Sequence, residues 1–147
     1  MTLPLRCALA AAALLGAAGG SASAGCSVEV DPVTFGTIDS QRLTRGNGEV
    51  VVRCDEPADF RVGLSPGHGG GEGRRMRGPA KAELDYALFA DPGYTIPWGD
   101  GQAIGNPRPG RSEGQGPVRL TIYGLIPPQP GALPGEYEDA LQVTLTF

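Results

Sequence analysis

The sequence predicts an all-β fold of six to seven short strands. Three observations carry this. After residue 25, apolar and polar residues alternate with period 2 in one segment after another. The 24 glycines and 14 prolines among 147 residues fall in clusters between those segments, which is where turns of an all-β protein place them. Past the N-terminal apolar run, no window shows the 3.6-residue period of an amphipathic helix. Taken without its placement, so much Gly and Pro would point to disorder. The length suits one domain with one core.

The elements follow in chain order. Val28 and Val30 alternate with Ser27 and Glu29 in a first short strand, which Asp31-Pro32 is expected to end. Arg45-Gly46-Asn47-Gly48 reads as a turn into a second strand, with Val50, Val52 and Cys54 on one face and Val51 and Arg53 on the other. Phe60, Val62 and Leu64 alternate with Arg61 and Gly63 in a third. Leu84, Tyr86, Leu88 and Ala90 form a fourth, opposite Asp85, Ala87 and Phe89. Residues 94–98 read as a short edge segment, because Pro97 does not suit a central strand. Val118, Leu120 and Ile122 alternate with Arg119, Thr121 and Tyr123, and Leu141, Val143, Leu145 and Phe147 alternate with Gln142, Thr144 and Thr146. Strands of this number and spacing suit an immunoglobulin-like sandwich or a related barrel.

The N-terminus reads as an address. Arg6 is the only charge before Glu29, an apolar run covers residues 7–18, and Ala22-Ser23-Ala24 has the form of a signal-peptidase site. The predicted organisation is a cleaved signal peptide over residues 1–24 and one domain over 25–147. The run is shorter than the roughly 20 residues of a spanning helix. Cleavage removes Cys7 and leaves Cys26 and Cys54, an even pair in an exported chain, for which a disulfide is the natural reading. Closing a loop of about 29 residues is worth roughly 3–4 kcal/mol in the chain-entropy account. The alternative is a lipidated Cys26, since Ala24-Gly25-Cys26 resembles the end of a lipoprotein signal. Ser23 stands where such signals carry a bulky apolar residue.

Charge and chemistry exclude several functions. The formal charge of the full chain is -4, and loss of Arg6 makes the remainder more acidic, so nothing attracts nucleic acid in general. His68-Gly69-Gly70-Gly71 resembles the oxyanion loop of some esterases, yet no G-x-S-x-G elbow accompanies it. His68 is the single histidine, so the segment reads as a glycine loop joining strands and no enzyme is predicted. One histidine and two paired cysteines make no zinc-type cluster. Asp91, Asp100, Glu136, Glu138 and Asp139 read as solvated turn and edge charges, with no metal and no cofactor expected. Arg74-Arg75-Met76-Arg77 is the basic cluster and reads as a solvated loop. Tyr94 and Trp98 read as caps on the core.

The last strand poses a question of its own. Leu141 to Phe147 is cleanly apolar on one face and polar on the other, without the charge or proline that usually blunts an edge. Either earlier strands cover it on both sides, or it borders an open groove.

In order along the chain, Cys26-Ser-Val28, Phe35-Gly36, Val50-Val-Val-Arg-Cys54, Leu84-Asp-Tyr86-Ala-Leu-Phe-Ala-Asp91, Trp98-Gly99-Asp100-Gly101, Tyr123-Gly124-Leu-Ile-Pro127, Pro134-Gly135-Glu-Tyr137-Glu-Asp139 and Val143-Thr-Leu-Thr-Phe147 resemble the spore coat protein U domain family. That family includes pilins of archaic chaperone–usher pili and a secreted spore coat protein. The resemblance implies an incomplete immunoglobulin-like β-sandwich that lacks one strand. A periplasmic pilus chaperone fills the gap first, and a neighbouring pilin subunit's N-terminal extension replaces it at the outer-membrane usher, by strand addition. It implies a cell-surface or secreted structural protein supporting adhesion and biofilm formation, with no small-molecule substrate. It also tips the question above towards a groove, with Leu141, Val143, Leu145 and Phe147 as groove-lining residues or chaperone contacts. Polymerising pilins carry an apolar donor segment before the first family cysteine. Here only Gly25 stands between the expected cleavage site and Cys26, so the resemblance implies a strand acceptor without a donor of its own. The alternative is an extracellular coat or matrix protein of the same fold that does not polymerise.

Overall fold

In the computed structural model, residues 2–6, 8–11 and 25–147 are described. The strands are β1 (Thr2–Arg6), β2 (Ala8–Ala11), β3 (Cys26–Asp39), β4 (Thr44–Cys54), β5 (Pro57–Leu64), β6 (Arg74–Arg77), β7 (Glu83–Phe89), β8 (Arg108–Glu113), β9 (Val118–Ile126) and β10 (Ala140–Thr146). They form two sheets, ordered β1-β3-β4-β9-β7-β6 and β2-β10-β5-β8. Every strand pair is antiparallel except β10 with β2. The fold is thus the all-β sandwich of immunoglobulin type that the alternation predicts. Its core is one cluster drawn from the inner faces of both sheets, including Val52, Ile122 and Leu88 from the larger sheet and Val62 and Val143 from the smaller.

Four sequence expectations are corrected. Asp31-Pro32 does not end the first strand. Proline cannot donate to the ladder, so the β3–β4 register shifts between Asp31 and Thr34 and the strand continues to Asp39. Arg45-Gly46-Asn47-Gly48 is not a turn but lies inside β4. The glycines are there because β3 folds over them: a Cβ at Gly46 would stand 2.8 Å from Cδ1 of Phe35, and one at Gly48 would stand 2.8 Å from Cγ2 of Val33. Gly124 on β9 completes the bed, since a Cβ there would meet the same ring at 2.6 Å.

Next, Arg74-Arg75-Met76-Arg77 is not a solvated loop but the edge strand β6, paired with β7. Its Met76 is fully buried. The last correction is β8, which went unseen behind Pro109 and Gly110. Its glycine admits the Phe60 ring of β5, and Ser112 is its one buried side chain. The expected edge segment at 94–98 reduces to isolated bridges, Phe89 with Pro97 and Trp98 with Asn106. Helical structure among the described residues is confined to two 3-10 segments, Gly67–Glu72 and Pro79–Lys81, and no helix there is long and apolar enough to cross a membrane. The expected cleavage site lies in residues 12–24, outside the described residues.

Candidate functional site

The last strand is covered on both sides, but unequally. On one side β5 pairs with it from Val143↔Leu64 to Thr146↔Arg61. Just before, Gln142 donates its N–H to Ser65 Oγ at 2.8 Å and accepts the Ser65 N–H at 2.9 Å. Along an extended strand, neighbouring residues direct their backbone groups to opposite edges. Leu141, Val143 and Leu145 therefore present their N–H and C=O groups to the edge away from β5. There β2 runs parallel to β10, from Ala140↔Ala8 to Val143↔Ala11. Among the described residues, pairing on this edge stops at Val143.

The side chains of Leu141, Val143 and Leu145 point inward and are 1%, 0% and 1% exposed, while Phe147 beyond the strand is 43% exposed. Three of the four residues singled out from the sequence are thus core residues, and what they offer a neighbour is the backbone edge above that core.

Opposite this edge, across the sandwich, lies the second half of β3, and the space between the two edges is the candidate cleft. β1 pairs with that half of β3 from Thr2↔Asp39 to Arg6↔Thr34. β2 also packs against β3, so residues 2–6 and 8–11 lie between the edge of one sheet and the edge of the other. Sequence reasoning missed this wall because Gly36 takes a left-handed φ of 67°. The kink moves the inward position from Thr37 to Ile38, so Val33, Phe35 and Ile38 are buried without strict alternation.

Cys26 and Cys54 are joined by a disulfide. They face each other directly across β3 and β4, at the start of β3 and the end of the central strand β4. Both are buried.

Two buried charges, which the sequence placed at the surface, hold the ends of β5 and β10. The Arg74 guanidinium donates to the carbonyls of Ser65, Leu64 (3.3 Å) and Trp98 (2.8 Å). Asp139 accepts from the His68 N–H at 2.9 Å, the Ala140 N–H at 3.0 Å and the Tyr86 hydroxyl at 2.5 Å. The His68 ring is engaged on both nitrogens, by the Arg77 Nε–H on Nδ1 at 2.7 Å and by Glu83 at Nε2, 3.1 Å away. No hydrogen bond joins it to Ser65 among the described residues. A surface hollow of about 800 Å³ opens beside His68, Arg77, Tyr137 and Asp139. The Tyr137 hydroxyl donates to the Leu133 carbonyl at 2.7 Å, and burial pushes its ionisation above the ordinary tyrosine value.

The 91–107 loop is pinned from inside. Trp98 is fully buried and its Nε1–H donates to the Val62 carbonyl at 2.8 Å. Asp91 caps its own turn, accepting from the Thr95 hydroxyl at 2.6 Å and from the N–H groups of Thr95 and Ile96. The Thr95 hydroxyl bond, helped by those backbone bonds, holds its carboxyl below the ordinary value. Glu136 and Glu138 are not gathered with it, and no group of three or more His, Cys, Asp or Glu side chains is disposed to hold a metal among the described residues.

Two sheets packed over one core, with antiparallel pairing everywhere but between β2 and β10, define a β-sandwich of immunoglobulin type. The comparisons with known proteins give the family. The Spore Coat Protein U domain matches residues 11–144, and the chain is 30% identical to Protein U of Myxococcus xanthus over 144 residues, covering 88% of this chain and 79% of that protein. The chain belongs to the spore coat protein U domain family. Its fold matches a chain in the CsuC–CsuE chaperone–tip adhesion subunit pre-assembly complex from archaic chaperone–usher Csu pili of Acinetobacter baumannii, with a TM-score of 0.59 and 20% identity. The match covers 85% of this chain and 40% of the length of that one. At this identity the likeness concerns the fold.

Proposed function

We propose that this protein is a structural subunit of a chaperone–usher surface fibre, exported behind a leader of residues 1–24 and displayed at the cell surface. One observation carries the reading. The edges of β3 and β10 lie over a finished apolar core, and among the described residues they are paired by residues 2–6 and 8–11. Removing a leader that includes those residues exposes two strand edges at once, which is an association hazard unless another strand covers them. A periplasmic chaperone is the first such strand and a neighbouring pilin the second, with the outer-membrane usher as the place of exchange. With cleavage after Ala24, Gly25 alone precedes Cys26, so this subunit accepts a strand and donates none. Adhesion and biofilm formation are the tasks such a fibre serves.

A second reading is a secreted coat or matrix protein of the same fold, favoured by the 30% identity to Protein U. Co-expression in a periplasm with a candidate pilus chaperone separates the two. The fibre reading expects a stable one-to-one complex, with an intact mass that begins at Gly25 and is lower by two hydrogens for the disulfide. A soluble monomer that ignores the chaperone would overturn it and leave the coat reading standing.

A further inference from the structure

Phe35, Phe60, Tyr86, Trp98 and Tyr137 lie in the core, but Phe89, Tyr94 and Tyr123 do not. Phe89 on β7 and Tyr123 on β9 are direct cross-strand partners. Each follows a buried inward residue, Leu88 and Ile122, so both rings stand on the outer face of the larger sheet. Tyr94 folds back onto them from the 91–107 loop, its ring nearly perpendicular to Phe89 at 5.7 Å and to Tyr123 at 6.3 Å. All three are half-buried, so part of each ring meets solvent. Tyr94, which the sequence suggested as a cap on the core, builds an outer patch instead.

The patch is held in place at a cost. Tyr94 keeps a left-handed φ of 56°, an unfavourable conformation for an aromatic residue, although Gly93 stands beside it. Asp91 accepts the bonds from Thr95 and Ile96 that fix the turn. Arg45 of β4 sets its guanidinium 5.2 Å from the centre of the Tyr94 ring. It is exposed, and among the described residues no carboxylate stands within ion-pair distance of it. Its N–H fork is therefore open to a carboxylate from outside. Asn47, the partner of Tyr123 on β4, is exposed beside it and offers an amide donor and acceptor.

We propose that Arg45, Asn47, Phe89, Tyr94 and Tyr123 form a binding site for a uronic-acid polysaccharide. The C–H face of a pyranose packs on the electron-rich faces of such rings, its carboxylate takes the guanidinium, and its hydroxyls take the amide. Strands about 4.8 Å apart lay these side chains along successive parts of an extended glycan. The chain carries a formal charge of -4, so no general field draws an anion here, and Arg45 itself supplies the attraction. The site uses the outer face of β4, β7 and β9 and neither the β3 nor the β10 edge, so it stands or falls apart from the fibre reading.

The test uses the processed, disulfide-bonded protein recovered from a periplasm, free or with a bound chaperone. Calorimetry follows titration with oligogalacturonate and with its methyl ester, which keeps the sugar and removes the charge. Tyr94→Gly removes the ring while relieving the backbone, and Arg45→Gln removes the charge. Saturable binding of the acid is expected, at least about tenfold weaker for the ester and for each variant. Fluorescence of the buried Trp98 reports whether Y94G leaves the loop in place. If it does not, R45Q and the ester still decide. Equal affinity for acid and ester, unchanged affinity in R45Q, or no binding at all would overturn the proposal. A lack of binding together with a concentration-dependent dimer that Y94G abolishes would give this face to a second copy of the chain. Chaperone capture, which engages the strand edges, tests the fibre reading separately.

Discussion

Arg74 is the residue whose chemistry departs furthest from its sequence context. Set in the basic cluster Arg74-Arg75-Met76-Arg77, it is 3% exposed and binds three carbonyls at the junction of β5, the glycine loop and Trp98. Arg74→Met keeps the apolar stem and leaves those acceptors without their charged donor, a loss of about 3 kcal/mol. Urea unfolding should show it as a lower midpoint at unchanged slope, whereas Arg75→Met, in surface pairs with Glu83 and Asp85, should change stability by less than about 1 kcal/mol. Asp91 gives a pH dependence. Its carboxyl is depressed by bonds made in the folded turn, so its contribution is present above its unfolded value near 3.8 and is lost as pH falls through the lower folded value. Exchange at the Thr95 and Ile96 amides should therefore accelerate below about pH 3.8. Asp91→Asn should flatten that dependence.

At the scale of elements, the bed of glycines under β3 matters most. Gly46 and Gly124 leave room for the Phe35 ring, and a Cβ at Gly124 would stand 2.6 Å from its Cζ. Gly124→Ala is expected to cost about 1–3 kcal/mol by overpacking. In the background of Phe35→Ala the same change should cost less, the contact with Val33 Cγ1 at 2.9 Å remaining, and this coupling, read from a double-mutant cycle by urea unfolding, isolates the share due to the ring.

The same bed explains what could be read from the sequence. Strands with apolar residues at every second position, such as Phe60-Arg61-Val62-Gly63-Leu64 and Leu141 to Leu145, announce themselves because one face of each meets the core. β6 and β8 do not. Each is a short edge strand with little buried, Arg74 and Met76 in one and Ser112 in the other, so period 2 has almost nothing to act on. Gly46-Asn47-Gly48 carries the composition of a turn, and only a ring arriving from β3 makes it a strand. The cleft was half legible for the same reason. Its β10 wall has clean alternation, while its β3 wall is interrupted by Pro32 and by the left-handed Gly36.

For the whole molecule, the disulfide has a mechanical meaning. It ties the start of β3 to the end of β4, and β4 sits inside the six-stranded sheet between β3 and β9. A force applied between Gly25 and Phe147 enters at the start of β3. With the bridge intact it passes from Cys26 to Cys54 across sulfur, and the hairpin between them bears no load. The 28 residues of sequence separation, about 95 Å of contour at ~3.4 Å per residue, stay out of the extension. Single-molecule stretching should show a contour gain shorter by about that length in the oxidised protein than after reduction. Equal gains would mean the bridge lies off the force path. Under load such a domain would lengthen less before yielding, and β3 would keep its place beside β4 while the rest of the chain was drawn out.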